Sequence, residues 1–244
     1  KETEEIRTNG RDISFETRLT GSPLITTEKL NVKYGSKLAL SPIDLQISSG
    51  EVVALMGRNG AGKSSLIKAL LGVIEFEGEV NKFAKRNGYI PQDANDLLYH
   101  QSVAAECEQT DSDNNLTKGT TFALLQQLAP TISLNSHPRD LSEGQRLALV
   151  LAIVLSPNPD ILILDEPTRG LDYQSKALLI NQLTARAKSG SAVLIATHDV
   201  ELVAEIADRV IFLADGEIVA QCSTREVLTA SPAFAPQVTK ALAP

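Results

Sequence analysis

The chain lacks several residue types that would define whole classes of protein. Its 244 residues include no tryptophan, one methionine and two cysteines, and only 4% of them are aromatic. Cys107 and Cys222 lie far apart and belong to no Cys-x-x-Cys or Cys/His cluster. We therefore expect two free thiols in a reducing compartment, and neither a disulfide framework nor a Cys/His zinc site.

Long apolar runs and strongly basic blocks are absent as well. The longest apolar run, residues 147–155, is about half of a membrane span, and the first residues contain no secretory hydrophobic region. We expect a soluble chain that acts at a membrane only through partners. The net charge of -7, without a block of lysine or arginine, argues against a dedicated nucleic-acid surface, although charge alone does not exclude a local basic face.

Length and composition allow one large α/β domain or two small lobes, since 43% of the residues are hydrophobic. Residues 1–22 are polar, charged and without periodicity, which predicts a linker or tail, with one domain over residues 23–244. The chain starts at Lys1. That start suggests a piece of a longer polypeptide, although tag removal or processing would look the same.

The order of predicted elements indicates a mixed fold. Short β-like runs precede residue 50, a buried strand covers 52–56, and residues 77–90 resemble a strand pair with a turn. Residues 96–134 are mainly helical, with a predicted loop at 110–115. Helices are then predicted at 143–155, from Asp172 to about 188 and at 200–207, alternating with strands at 161–164, 193–196 and 210–213. This alternation predicts a parallel sheet covered on both faces.

A phosphate-binding loop follows the strand at 52–56. Residues 57–64 read Gly-Arg-Asn-Gly-Ala-Gly-Lys-Ser and match the pattern G-x-x-x-x-G-K-[ST]. Its glycines permit close approach of the backbone, so that N–H groups can converge on phosphate oxygens at a helix N-terminus. Lys63 would supply a cation for the β- and γ-phosphates and Ser64 a hydroxyl for Mg²⁺. The alternative is a plain glycine-rich turn. The predicted nucleotide-binding residues here are Gly57, Asn59, Gly60, Ala61, Gly62, Lys63, Ser64 and Ser65.

Two acids end the apolar strand at 161–164. Asp165 should face the loop at the carboxyl edge of the sheet, where it can bind Mg²⁺ directly or through water. Glu166, one residue later, can orient or deprotonate an attacking water. The alternative is that both acids cap a helix before Pro167. Phosphate loop and acidic strand together indicate a nucleoside triphosphatase.

A third motif carries a resemblance to a family. Leu141-Ser142-Glu143-Gly144-Gln145 resembles the LSGGQ signature of ATP-binding subunits of ABC transporters, and the resemblance runs from about residue 24 to the end. It implies a P-loop NTPase fold with a mainly parallel core sheet, an antiparallel β subdomain and an α-helical signature subdomain at about 93–155. It also implies that Ser142, Gly144 and Gln145 contact the γ-phosphate of ATP held by the opposite subunit.

The signature departs from the family at Glu143, where glycine is usual. A carboxylate aimed at a phosphate would repel it. We therefore expect Glu143 to point away, or this signature to serve a weaker site.

The resemblance implies roles for four more residues. Tyr34 would stack on adenine, although a surface tyrosine is the alternative. Gln92 would contact Mg²⁺ or the attacking water. Asp172 would lie in the loop that crosses between the two subunits, and His198 would be the switch histidine near the γ-phosphate. His100 and His137 have no motif around them and are predicted surface residues. The expected cofactors are ATP and Mg²⁺. The expected catalytic residues are Glu166, His198 and Lys63, and the expected metal ligands Ser64, Gln92 and Asp165.

A narrower resemblance concerns the type of transporter. Residues 95–99, 167–173 and 231–238 resemble energy-coupling factor (ECF) ATPases, most of all the second half of the fused actinobacterial form. This implies a second ATPase domain paired head to tail, a transmembrane coupling subunit that docks near residues 92–107, and a small membrane subunit that binds a vitamin or metal ion. The chain would then lie at the cytoplasmic face of the membrane, without nucleic acid. The alternatives are a soluble ABC ATPase acting on ribosomes or DNA, and the ATPase of an exporter.

Overall fold

The computed structural model describes residues 21–228. Most of the predicted linker and all of the 231–238 segment lie outside the described residues. The strands are β1 Pro23–Tyr34, β2 Lys37–Ser48, β3 Val52–Met56, β4 Glu77–Lys82, β5 Asn87–Ile90, β6 Ile161–Asp165, β7 Ala192–Ala196, β8 Arg209–Ala214 and β9 Glu217–Ser223. The helices are α1 Lys63–Leu71, α2 Val103–Asp113, α3 Thr120–Leu128, α4 Glu143–Leu155, α5 Tyr173–Lys188, α6 Val200–Ile206 and α7 Thr224–Leu228, with short 3₁₀ turns at Ala94–Leu97 and Pro138–Asp140.

A six-stranded sheet forms the centre of the molecule, in the order β5-β6-β7-β3-β8-β9. All its neighbouring pairs are parallel except β8 and β9, which form an antiparallel hairpin. Every residue of β3, β6 and β7 is buried. Continuous apolar strands of this kind are typical of a parallel sheet covered on both faces, which confirms the prediction.

The two faces of this sheet have different covers. On one face, α1 packs together with a three-stranded antiparallel sheet of order β2-β1-β4. On the other face lie α4, α5 and α6. The predicted architecture, a mainly parallel core sheet with a separate antiparallel sheet, is confirmed.

The region between the 3₁₀ turn at Ala94 and the end of α4 is helical in all its regular elements. Helices α2 and α3 pack on α4 around a separate apolar core that includes Val103, Leu125 and Leu149. The opposite side of α4, with Leu147 and Leu151, packs on the central sheet. Helix α4 therefore belongs to both cores.

Two predictions about secondary structure are wrong. The strands within 77–90 do not pair with each other, because β4 pairs with β1 and β5 with β6. The loop expected at 110–115 begins only after Asp113, because residues 110–113 form the last turn of α2. Buried Asp111 accepts hydrogen bonds from the backbone N–H groups of Gly119 (2.6 Å) and Thr121 (2.9 Å), so the polar side chain ties the turn between α2 and α3. Within residues 21–228, no helix has both the length and the apolar character needed to cross a membrane.

Candidate active site

The phosphate loop connects β3 to α1 at the carboxyl edge of the central sheet. A Cβ atom at position 57 would lie 2.3 Å from the carbonyl oxygen of Leu213, so only glycine fits there. Gly62, directly before α1, has φ 106 and is the N-cap of that helix. The first N–H groups of α1 have no carbonyl partner within the helix. They therefore form, together with the helix dipole, an anion-binding position.

Lys63 is buried at the head of α1, with its ammonium group folded over the loop. Its Nζ donates to the carbonyl oxygens of Gly57 at 2.7 Å and Arg58 at 3.3 Å, and lies 3.7 Å from Glu166 Oε1. The loop thus keeps a cation at its centre, where a phosphate chain would lie.

Ser64 and Asp165, the two oxygen-bearing residues expected to bind Mg²⁺ with Gln92, lie side by side. The Ser64 hydroxyl donates to Asp165 Oδ2 at 2.8 Å, and Asp165 is buried at the end of β6. Mg²⁺ is commonly held in nucleotide sites by one or two such protein oxygens together with phosphate oxygens and water. The donor set present therefore fits Mg²⁺ bound with a nucleotide. The described residues contain no cluster of three or more His, Cys, Asp or Glu that would hold a metal ion alone.

Glu166 and His198 meet beside this pair. His198 Nδ1 lies 2.8 Å from Glu166 Oε2, and the carboxylate is nearly buried while 71% of the imidazole side chain is exposed. Glu166 has φ 50, a left-handed conformation that is costly for a residue with a Cβ atom. Its N–H donates to the carbonyl oxygen of Ala196 at 2.8 Å, which links the ends of β6 and β7. The backbone thus aims the carboxylate at the space between Lys63 and His198.

A cleft of about 740 Å³ extends from the loop to the antiparallel sheet. Half-exposed Tyr34 lies at its outer end, with its hydroxyl 3.4 Å from Ser65 Oγ. Ten of the predicted residues line it: Tyr34, Asn59, Gly60, Gly62, Lys63, Ser64, Ser65, Gln92, Asp165 and Glu166. Ala61, in the loop itself, is buried and does not line the cleft.

Sequence reasoning missed the other residues that line this cleft. They are Lys37, Leu38, Ala39, Arg58, Asp215 and Gly216. An Asp-Gly pair is a common hairpin turn, and here it joins β8 to β9, with the Gly216 N–H donating to the carbonyl oxygen of Ala61 at 3.1 Å. The turn signal was available in the sequence, but its position against the loop was not.

The signature segment lies elsewhere on the surface and does not line this cleft. Ser142 and Gln145 form a capping box at the start of α4: Ser142 N–H donates to Gln145 Oε1 at 3.1 Å, and Gln145 N–H donates to Ser142 Oγ at 3.3 Å. Gly144 packs against α5, because a Cβ atom there would lie 2.4 Å from Ser175 Oγ. The structure therefore does not bring Ser142, Gly144 and Gln145 to the phosphate loop of the same chain.

Glu143 is paired within its own helix. Its carboxylate is 3.4 Å from Arg146 Nη1, and 67% of its side chain is exposed. Arg146 Nη2 donates to the carbonyl oxygen of Leu141 at 3.0 Å, so the guanidinium also holds the signature backbone. Both residues line a second cleft of about 770 Å³, which shares Ser64, Gln92, Asp165 and Glu166 with the first cleft.

The remaining predicted residues lie near helix ends. Asp172 caps α5 and accepts from the Ser175 N–H at 2.8 Å; this bond lowers the pKa of Asp172 below its usual range. His100 and His137, predicted as surface residues, are half-buried. His100 Nδ1 lies 3.0 Å from Glu106, and His137 Nδ1 accepts from the Arg139 N–H at 3.0 Å.

Comparison with known proteins places this geometry in context. The family profile described as "ABC transporter" matches residues 40–169. The chain is 51% identical over 235 residues to a Streptomyces avermitilis protein named "Putative ABC transporter ATP-binding protein". This alignment covers 91% of this chain and 42% of that protein. It is 36% identical over 231 residues to the zinc import ATP-binding protein ZnuC of Hydrogenovibrio crunogenus, covering 88% of each. The chain spans about two fifths of the length of the first two relatives it matches, 42% and 40%.

Two solved structures agree with the fold. An ATP-binding subunit of an ABC transporter superposes with a TM-score of 0.78 at 22% identity, covering 89% of this chain and all of that one (100%). The structure of cbiO1 from Clostridium perfringens, described as part of the ABC transporter complex cbiONQ, superposes with a TM-score of 0.74 at 26% identity and covers 89% and 95% of the two chains.

Proposed function

The chain belongs to the ABC transporter family of ATP-binding domains, and from this premise we propose that it powers an importer of the ECF type for a vitamin or metal ion. Domains of this family hydrolyse ATP in the service of transport. Under this proposal the chain lies peripherally at the cytoplasmic face of a membrane and acts through membrane-spanning partners.

One observation carries the catalytic part. Five side chains meet at the carboxyl edge of the central sheet: Lys63, Ser64, Asp165, Glu166 and His198. Lys63, with the N–H groups of the loop, would bind the phosphates, and Tyr34 would stack on the adenine. Ser64 and Asp165, with Gln92, would hold Mg²⁺, which when bound would neutralise phosphate charge.

Glu166 takes the role of general base in this proposal. Its carboxylate would orient and deprotonate the attacking water, and the contact with His198 Nδ1 at 2.8 Å would hold it in place near the γ-phosphate. Lys63, 3.7 Å away, would stabilise the negative charge on the transferred phosphoryl group.

A second ATPase domain completes the site in this proposal. The signature residues Ser142, Gly144 and Gln145 lie outside the cleft that holds Lys63, so they are free to contact ATP on a facing domain. Asp172, at the start of α5, would lie in the crossing between the two domains. The first two relatives are more than twice as long as this chain, which leaves room for a fused companion.

One comparison supports import and a metal ion as cargo, and a second supports assembly with further subunits. The relative ZnuC is named for zinc import, and cbiO1 is part of a complex with further components. Within the described residues, the ECF-like segments 95–99 and 167–173 flank Gln92 and the acidic strand end. A coupling helix docked near residues 92–107 would therefore move the metal ligand Gln92.

ATP hydrolysis by the natural full-length protein tests the catalytic assignment. We expect Glu166→Gln to abolish turnover while ATP and Mg²⁺ still pair the two ATPase domains, and the exposed control Glu205→Gln to behave as the wild type. Full turnover of Glu166→Gln would overturn the assignment of the general base.

Affinity purification from membranes of the native host tests the transport assignment. We expect a coupling protein and a small membrane protein that binds the cargo to co-purify. Co-purification with ribosomes or DNA at moderate salt, or with one large exporter protein, would instead establish one of the alternatives.

A further inference from the structure

Lys176, one turn into α5, is tied to the segment that follows the switch histidine. Its Nζ lies 2.9 Å from Asp199 Oδ2, and both side chains are only 20% exposed. A second carboxylate, Glu201, is 3.2 Å away but 90% exposed, so solvent screens it much more. The hydrogen bond to Asp199 raises the pKa of Lys176, and the lysine stays charged throughout the neutral range.

Asp199 anchors the backbone directly after His198. Its Oδ1 accepts from the Leu202 N–H at 3.0 Å and caps α6, while its own N–H donates to Thr197 Oγ1 at 3.0 Å. Asp199 is therefore bonded on both sides of His198, to Thr197 through its backbone N–H and to Leu202 through its carboxylate.

The backbone of Lys176 belongs to the turn of α5 that contacts the signature residue Gly144. The Lys176 N–H donates to the carbonyl oxygen of Asp172 at 2.9 Å, in the first turn of α5. In the same turn, buried Ser175 packs against Gly144 so closely that a Cβ atom at 144 would lie 2.4 Å from its hydroxyl oxygen. The start of α4 thus rests directly on the start of α5.

We propose that the Lys176–Asp199 ion pair is a positioning device that couples the signature and the first turn of α5 to the His198–Glu166 pair of the same chain. The inference rests on the proposed function, in which Gly144 faces one ATP and His198 the other. The contacts form a continuous path of packed and hydrogen-bonded groups, from Gly144 through α5 to Asp199. A change at the signature can therefore shift the imidazole that holds Glu166.

A double-mutant cycle on the full-length protein, in its complex, tests this coupling. Lys176→Met removes the cation and keeps the length of the side chain, and Asp199→Asn keeps an N-cap while weakening the ion pair. We expect each to lower kcat about tenfold with KM for ATP within about twofold, and the double variant to lose no more than either single one. Lys176→Arg should restore most of kcat, and Glu201→Gln should match the wild type.

Three results would overturn the coupling. They are wild-type kcat in Lys176→Met, losses that multiply in the double variant, and a loss in Glu201→Gln as large as in Lys176→Met. Glu166→Gln is assayed in the same series. If it abolishes turnover while Lys176→Met leaves turnover intact, the coupling fails and the proposed function stands.

If the protein does not hydrolyse ATP and the proposed function fails, the coupling can still be tested by a measurement that needs no turnover. The His198 imidazole resonance is recorded by NMR in the same variants, with melting temperatures as the control for folding. A shift in Lys176→Met that is absent in Glu201→Gln supports the coupling, and an unchanged resonance overturns it.

Discussion

Replacing Glu143 by glycine should strengthen the signature's hold on ATP. In the proposed dimer this exposed carboxylate lies at the end of α4 that faces a γ-phosphate, and the two negative charges repel each other. Glycine removes both the charge and the side chain.

The size of the effect follows from the surroundings of the carboxylate. Two unit charges about 4 Å apart interact by about 1 kcal/mol in water and by about 4 kcal/mol at an effective dielectric constant of about 20. Glu143 is 67% exposed and has the Arg146 guanidinium at 3.4 Å, so the lower figure applies. A gain of about 1 kcal/mol corresponds to about fivefold tighter ATP-driven pairing of the two domains.

The assay measures ATP-dependent pairing and kcat/KM of the full-length protein at low and at high salt. Glu143→Gln, which removes the charge and keeps the size, should recover most of the gain. The gain should shrink at high salt, because the screening length falls to about 3 Å at 1 M. Melting temperatures are needed as a control, since an acid in the first turn of a helix stabilises it by about 0.3–1 kcal/mol.

Two outcomes would contradict the electrostatic reasoning. If neither variant changes pairing, the carboxylate points away from the phosphate of the facing domain. If glycine gains and glutamine does not, the side chain acts by its bulk and not by its charge.

Three further variants or reagents test the packing of the described residues. Gly144→Ala should lower the free energy of unfolding by about 1–3 kcal/mol, because the new methyl group would clash with Ser175 Oγ. In urea denaturation, adding Ser175→Ala should restore most of this loss. A double variant as unstable as the single one would refute the clash. Burial raises the pKa of Cys107 to about 12, so iodoacetamide at pH 8 should label it only after unfolding, and rapid labelling of native protein would show that the thiol is accessible. Arg209→Met leaves the buried Glu51 carboxylate without its 2.7 Å partner and should cost about 3–5 kcal/mol of unfolding free energy, whereas the double change with Glu51→Leu should cost much less.

Local patterns predicted the parts of the site that are continuous in sequence. The phosphate loop, the acidic strand end and the capped helix starting after Asp172 occur where the motifs place them. In each, the defining interactions lie within a few residues, as in the Asp172–Ser175 cap. The spacing of residues along the chain was therefore sufficient to predict these parts of the site.

Contacts between distant segments were not predictable in the same way. The pair Arg209–Glu51 joins residues 158 positions apart, and Lys176–Asp199 joins two helices. No local pattern distinguishes these charged residues from solvent-exposed ones. The misplaced loop at 110–115 has the same origin: a run of Asp, Ser and Asn is typical of a loop, but burial of Asp111 against the start of α3 makes helix the better solution.

Helix α4 packs in two apolar cores, that of the central sheet and that of α2 and α3, and this affects how movement is transmitted through the molecule. This helix of 13 residues, about 20 Å long, is clamped along one flank by the central sheet and along the other by α2 and α3. Close-packed interfaces resist gradual sliding. We therefore expect α4 to move together with α2 and α3 when those helices are displaced, and the displacement to be transmitted along α4 to its first turn, where the signature lies.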